Sequence, residues 1–164
     1  MLVNEIKQKQ LEQQIIDEQS EFLLKLCEEF FNTSGIDNII KGRGFGITQL
    51  RTLLEASLQM TVALELKAYI FYKIGRDKNS GWAKVCGSEN KVMGEVLWSK
   101  IEKIITQVEK IDLPEEINKK NIENQLIQRF LGYVYWQGSY VVNSDNNRQQ
   151  GKKESNPKGR GGKR

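Results

Sequence analysis

Residues 91–111, KVMGEVLWSKIEKIITQVEKI, carry the clearest structural signal in the chain. Their apolar side chains recur every three to four residues, which is the period of an α-helix with one face against a core. The apolar positions are Val92, Val96, Leu97, Ile101, Ile104, Ile105 and Val108. This spacing predicts a long amphipathic helix from about Lys91 to Ile111.

The segments on either side of this stretch follow the same helical period. Before it, the pattern predicts one uninterrupted helix that begins at Thr48, as N-cap, and continues to about Tyr72. Its expected buried face includes Leu58 and Tyr72. After it, Pro114 and the two carboxylates that follow predict the start of a last helix, over residues 115–140.

The remaining segments complete the predicted fold. Residues 1–19 are Gln-rich with a thin apolar stripe, which indicates a partly solvated helix, and residues 20–31 have the pattern of a core-facing helix. No alternating run is long enough for a convincing strand. We therefore expect an all-α bundle of four or five helices in a domain of residues 1–142. Residues 143–164 contain no apolar side chain, which predicts a disordered basic tail.

The composition argues against several classes of protein. None of the 164 residues is histidine, which excludes Ser-His-Asp and Cys-His nucleophile systems and His-ligated metal sites within this chain. Two cysteines, Cys27 and Cys86, cannot complete a structural zinc site alone and are expected to be free thiols in a reducing compartment. We expect a cytoplasmic protein that is not an enzyme, needs no cofactor or metal, and has no membrane segment.

Positive charge is concentrated in two zones of the chain. Residues 41–100 carry ten basic against five acidic side chains, and residues 143–164 carry seven against two. Residues 1–40 carry three against eight and are acidic. Two interpretations of the first zone stay open: a basic strip that follows a sugar-phosphate backbone, or a normally charged surface. The candidate RNA-binding residues are Lys41, Arg43, Arg51, Arg76, Lys78 and Lys84.

The glycine-dense segment 42–47 lies within the first basic zone. It matches neither the dinucleotide fingerprint, because Ile47 stands where Gly is needed, nor the P-loop, because no Gly-Lys-Ser/Thr follows. Two interpretations stay open: a flexible connector, or a loop that faces a ligand. The aromatic residues Tyr133, Tyr135, Trp136 and Tyr140 are expected in a core or a protein interface.

Two short stretches resemble a known family. Gly46-Ile47-Thr48-Gln49-Leu50-Arg51 is similar to the Thr/Ser-x-Gln-Ile/Leu-Arg signature that opens a main helix in the small subunit of type III CRISPR effector complexes. Residues 126–140, LIQRFLGYVYWQGSY, are similar to the C-terminal helix of that family. The resemblance covers about residues 20–142, and it does not extend to the long loop 75–90 or to the basic tail.

The resemblance implies a non-catalytic subunit of an antiviral ribonucleoprotein. Copies of the family's small subunit self-associate head to tail along the complex, beside its other subunits, and hold the guide–target (crRNA and target) RNA by backbone contacts. In this chain Thr48, Gln49, Leu50 and Arg51 match the signature, with Arg51 as the best candidate contact. The rival hypothesis is a helical adaptor or oligomerisation protein that binds other proteins and whose basic tail is incidental.

Overall fold

The computed structural model describes residues 1–154 and confirms the all-α class. Within that range the chain forms seven α-helices where the sequence predicted four or five. They are α1 (Leu2–Glu18), α2 (Ser20–Phe31), α3 (Ile36–Lys41), α4 (Gly46–Gln59), α5 (Ala63–Arg76), α6 (Met93–Lys110) and α7 (Lys119–Glu154). Two strands of two residues each, β1 (Val85–Cys86) and β2 (Lys91–Val92), pair antiparallel before α6. The long helix predicted at about 91–111 is confirmed as α6, except that Lys91 and Val92 at its predicted start pair as β2.

The last helix, α7, is the central element of the fold, because it packs against each of the other six helices. It does so with a continuous buried stripe at helical spacing. The stripe consists of Ile122, Leu126, Ile127, Phe130, Leu131, Val134, Gly138 and Val141. α1 lies at the periphery, where only Ile15 and Ile16 of its residues are buried.

The helix predicted from residue 48 to residue 72 is broken between α4 and α5, so this prediction was wrong. Met60 and Val62 both have extended backbone conformations. The Thr61 N–H donates to Glu65 Oε1 at 3.2 Å, and its carbonyl accepts from Asn124 Nδ2 at 2.8 Å. These side chains replace the helical hydrogen bonds that are missing at the break, where two β-branched residues favour helix only weakly.

The break also exposes residues that a single helix would have buried. Leu58 is 62% exposed and Tyr72 is 59% exposed, although both were expected on the buried face. Because α4 and α5 differ in direction, each presents its own set of residues to the core. The apolar residues of the segment therefore do not share one face.

The boundaries of the last helix differ from the predicted 115–140. α7 begins at Lys119, after a turn, and the Asn118 side chain accepts from the Asn121 N–H at 3.1 Å as an N-cap. At the other end the helix passes the predicted boundary at residue 142 and continues through Glu154, the last residue that the structure describes. Asp145 forms an ion pair with Lys41 at 2.9 Å and ties the added turns to the bundle. The bounds of the predicted helix are corrected accordingly, and residues 155–164 of the predicted tail (143–164) lie outside the described residues.

None of the helices in residues 1–154 is both long enough and apolar enough to cross a lipid bilayer.

The close crossing of α4 and α7 gives a test of this packing. Gly138 lies directly against Leu50, and a Cβ at this position would overlap the Leu50 side chain, which is itself buried. We expect Gly138→Ala to lower the free energy of unfolding by about 1–3 kcal/mol through overpacking. Gly132→Ala on the same helix meets no atom within 4 Å. That control is expected to be stabilising by about 0.5–1 kcal/mol. Urea titrations of both variants measure the two effects. Equal shifts of the unfolding midpoint would contradict the close packing of Gly138 against Leu50.

Candidate nucleic-acid interface

Two loops from separate parts of the chain meet at one surface. The glycine loop (residues 42–45) precedes α4, and the second loop (residues 77–84) joins α5 to β1. The Gly81 N–H donates to the Gly44 carbonyl at 3.0 Å. Beside this bond the rings of Phe45 and Trp82 pack edge to face at 5.0 Å, and both side chains are buried. We call this contact the loop junction.

Glycine is required on both sides of the loop junction by close packing. A Cβ on Gly81 would lie 2.6 Å from Cβ of Phe45, and a Cβ on Gly44 would lie 3.0 Å from the carbonyl oxygen of Asn79. Larger residues would separate the two loops. The flexible-connector interpretation of the glycine loop therefore does not fit, because the loop is held by specific contacts. Arg43 and Gly44 remain exposed to solvent.

The first turn of α4 supports the loop junction through a side chain. The prediction that Thr48 caps this helix is wrong: α4 begins at Gly46 and has no side-chain cap hydrogen bond. Gln49, in the same turn, accepts a hydrogen bond from the Trp82 indole N–H at 3.1 Å. Gln49 belongs to the segment that resembles the family signature, and in this structure its role is to hold the second loop in place.

Four of the six predicted RNA-binding residues surround the loop junction. Arg43 lies in the glycine loop, Arg76 ends α5, and Lys78 and Lys84 lie in the second loop; all four are exposed. A Cβ on Gly42 would lie 3.8 Å from Nζ of Lys84, so this lysine reaches across to the glycine loop. Among the residues whose side chains the structure describes (1–148, 150 and 151), none of the four forms a salt bridge with a carboxylate. We call these four residues the junction cations.

A small cleft opens between the two loops at the loop junction. Its volume is about 240 Å³. It is lined by Gly44, Gln49, Lys73, Arg76, Asp77, Ser80 and Trp82. Asp77 is the acidic residue of this group, and one of its carboxylate oxygens accepts from the Asn79 N–H at 2.8 Å. The Asp77 carboxylate therefore shapes the turn, and the charge of the surrounding surface remains positive.

The other two predicted residues, Lys41 and Arg51, contact α7. Lys41 pairs with Asp145, in the segment that the sequence assigned to the tail. Arg51 donates from Nη2 to the Tyr135 hydroxyl at 3.4 Å, and its guanidinium carbon lies 6.0 Å from the centre of that ring. The long hydrogen bond leaves much of the Arg51 guanidinium accessible. Arg51 is therefore exposed on the side of α4 that faces α7.

A second basic pocket lies between α2, α6 and the strand pair, with a volume of about 530 Å³. Its lysines are already paired. Lys100 and Lys103 both donate to the same oxygen of Glu29, at 3.1 and 3.0 Å, and Lys91 pairs with Glu89 at 2.7 Å. The bonds from Lys103 and Lys100 hold the pKa of the Glu29 carboxyl below its ordinary value. Internal pairing makes this pocket a weaker candidate for binding phosphates.

The aromatic residues of α7 border a groove against α2, of about 780 Å³. Trp136 is 68% exposed and Tyr140 is 66% exposed, whereas Tyr133 and Tyr135 are partly buried. Of the four aromatic residues, Tyr133 and Tyr135 therefore pack against the core, and Trp136 and Tyr140 lie on the surface. The two exposed rings, with Leu24 of α2, form an apolar surface of the kind that binds another protein.

Both cysteines are buried, and neither has the environment of a nucleophile. Burial, with a smaller contribution from Glu28, raises the pKa of the Cys27 thiol to about 11. Burial also raises the pKa of Cys86 above its ordinary value. A raised pKa keeps the thiol protonated near neutral pH and lowers its reactivity.

The described part of the chain contains no group of three or more His, Cys, Asp or Glu residues that could hold a metal ion. Comparison of the chain with models of known protein families, with curated proteins and with solved structures finds no match.

One surface feature escaped the sequence analysis, namely the outer face of α5. Leu64, Ala68, Phe71 and Tyr72 all lie on its solvent side. Sequence reasoning missed it because a single long helix assigned Tyr72 to the core. Apolar residues occupy two sides of residues 63–76, and this pattern could have revealed the exposed face of α5.

The hydrogen bond between Gln49 and Trp82 can be tested by a double-mutant cycle. Gln49→Leu leaves the indole N–H without its partner in a buried position, which we expect to cost about 1–3 kcal/mol of unfolding free energy. In a Trp82→Phe background there is no indole N–H, so the same change at Gln49 is expected to cost less. Chemical denaturation followed by circular dichroism measures all four proteins. An equal cost of Gln49→Leu in both backgrounds would show that this bond does not anchor the loop.

Proposed function

We propose that this chain is a non-catalytic RNA-binding subunit of a type III CRISPR ribonucleoprotein and contacts guide–target RNA through backbone electrostatics. The observation that carries the proposal is the group of four junction cations, which are exposed and lack carboxylate partners among the described residues. Surface lysines and arginines of folded proteins often pair with nearby carboxylates, as in the basic pocket beside α6. Cations without such partners are available to phosphates.

The rigidity of the loop junction supports affinity for RNA. Arg76 ends a helix, and the two loops are joined by the Gly81–Gly44 hydrogen bond and by the Phe45–Trp82 contact. Charges that are already placed lose little conformational entropy when a phosphate binds. Each phosphate contact also releases counterions, so binding of this kind weakens steeply as salt increases. It depends little on RNA sequence.

The CRISPR part of the proposal rests on the resemblance of residues 46–51 and 126–140 to the family signature. In this fold the two stretches are neighbours, because Leu50 packs against Gly138 and Arg51 reaches Tyr135. The two stretches that carry the resemblance therefore form one contact of the fold. The partners we propose are the crRNA and target RNA, the other subunits of the effector complex, and further copies of this chain, in the cytoplasm.

A second candidate function, that of a protein-binding adaptor, is favoured by one observation. The α2–α7 groove exposes Trp136 and Tyr140 beside Leu24. An adaptor that uses this groove would bind its partner with little dependence on salt and would not need the junction cations. The two functions therefore predict different salt dependence and different sensitive residues.

The decisive variant replaces all four junction cations with Ala. We expect it to weaken binding to an RNA oligonucleotide, equally for unrelated sequences. It should also flatten the slope of log K against log salt by about 0.7 for each phosphate of a single strand that the variant no longer binds. Fluorescence anisotropy at three or more salt concentrations measures both quantities.

A matched control removes the same amount of positive charge elsewhere. Lys7, Lys9, Lys110 and Lys120 are exposed, lie away from the loop junction in sequence, and form no salt bridge within the described residues. Replacing these four with Ala is expected to change affinity and slope much less. If the control and the junction variant weaken RNA binding equally, only net charge matters and the proposal is wrong.

A further inference from the structure

We propose that the outer face of α5 is a stacking surface for unpaired RNA bases, next to the junction cations. Phe71 is 43% exposed and Tyr72 is 59% exposed, so this helix presents two adjacent aromatic rings to solvent. This inference rests on the proposed RNA binding and adds the class of RNA: a strand with unpaired nucleotides.

The shape of this face suits flat ligands. The α-helical repeat puts Ala68 and Gly75 between the directions of Phe71 and Tyr72, and both small residues are exposed. The two rings therefore border a shallow surface without a large side chain between them. Every nucleotide base has an apolar face that stacks on an aromatic ring, and this contact tolerates any sequence.

Cations flank each ring at a spacing of one helical turn. Lys67 precedes Phe71 by four residues, and its Nζ lies 5.7 Å from the centre of the Phe71 ring and 5.6 Å from the centre of the Trp98 ring of α6. Arg76 follows Tyr72 by four residues, which corresponds to about 6 Å along the helix axis. A base on Tyr72 thus keeps a phosphate of the same strand within reach of Arg76. This alternation of rings and cations is complementary to a nucleotide chain, whereas a purely apolar partner would leave the charges unmatched.

The stacking surface is continuous with the proposed backbone-binding surface. α5 ends at Arg76, and the second loop with Lys78 follows directly. Arg76 thus belongs to both surfaces, and a strand bound by the junction cations can extend from it onto α5. In a duplex the base faces are covered by neighbouring pairs, so only unpaired nucleotides can use Phe71 and Tyr72.

The test compares an RNA strand with the same strand annealed to its complement. The variant Phe71→Ala/Tyr72→Ala is expected to bind the single strand about tenfold or more weakly, while its affinity for the duplex stays unchanged. Tyr72→Phe keeps an aromatic ring and should bind the single strand as the unmodified protein does. Trp136→Ala/Tyr140→Ala is the matched control, since it removes two exposed aromatic rings from the α2–α7 groove.

Three outcomes overturn the inference while RNA binding persists. In the first, the Phe71/Tyr72 variant binds the single strand normally; in the second, it loses duplex affinity to the same extent. In the third, the Trp136/Tyr140 control weakens single-strand binding equally. Failure of the proposed function has a different signature: the alanine variant of the junction cations would then bind both RNAs as the unmodified protein does. Thermal unfolding checks that all variants are folded.

Discussion

The hydrogen bond between the Gly81 N–H and the Gly44 carbonyl is the contact on which the rest of the proposed RNA interface depends. It joins two loops that are distant in sequence, and the buried Phe45–Trp82 pair keeps them together. Without it, Arg43 and Lys84 would lie on independent loops and would have to be ordered by the RNA. With it, their relative positions are established when the chain folds, so phosphate attraction is not offset by loop ordering.

The central helix α7 holds the two helices that flank the glycine loop. Leu50 packs on Gly138, and Lys41 pairs with Asp145, so α4 and the end of α3 are both held on α7. The glycine loop connects α3 to α4, and its two ends are therefore placed by the same helix. The charges of Lys41 and Arg51 contribute to this internal attachment. The junction cations take no part in this attachment, so their charges are available to phosphates.

Much of the fold could be predicted from sequence, because helical periodicity is a local property. The spacing of Leu97, Ile101 and Ile104 was sufficient to place α6. The break at Thr61 was not predictable in this way, since it depends on hydrogen bonds from Glu65 and from Asn124 of α7. The composition of residues 143–154 resembles that of a tail. One tertiary contact that supports the helix in that segment is the ion pair between Asp145 and Lys41.

The part of the candidate site that depends on neighbours in the chain could be predicted from the sequence. Clustering of Arg43 with the glycine loop follows from chain adjacency, as does clustering of Arg76 with Lys78. Which cations are paired depends on tertiary contacts: Asp145 was assigned to the tail, and Tyr135 is far from Arg51 in sequence. The exposed face of α5 was hidden by the assumption of one continuous helix.

Hydrogen exchange with and without bound RNA tests the central claim most directly, because it maps the binding surface on the unmodified protein. Amides that RNA covers or stabilises exchange more slowly. We expect added protection in the glycine loop, in the C-terminal half of α5 and in residues 77–84, with little change in α1 or in the α2–α7 groove. Protection confined to the α2–α7 groove, or to residues beyond 142, would contradict the account.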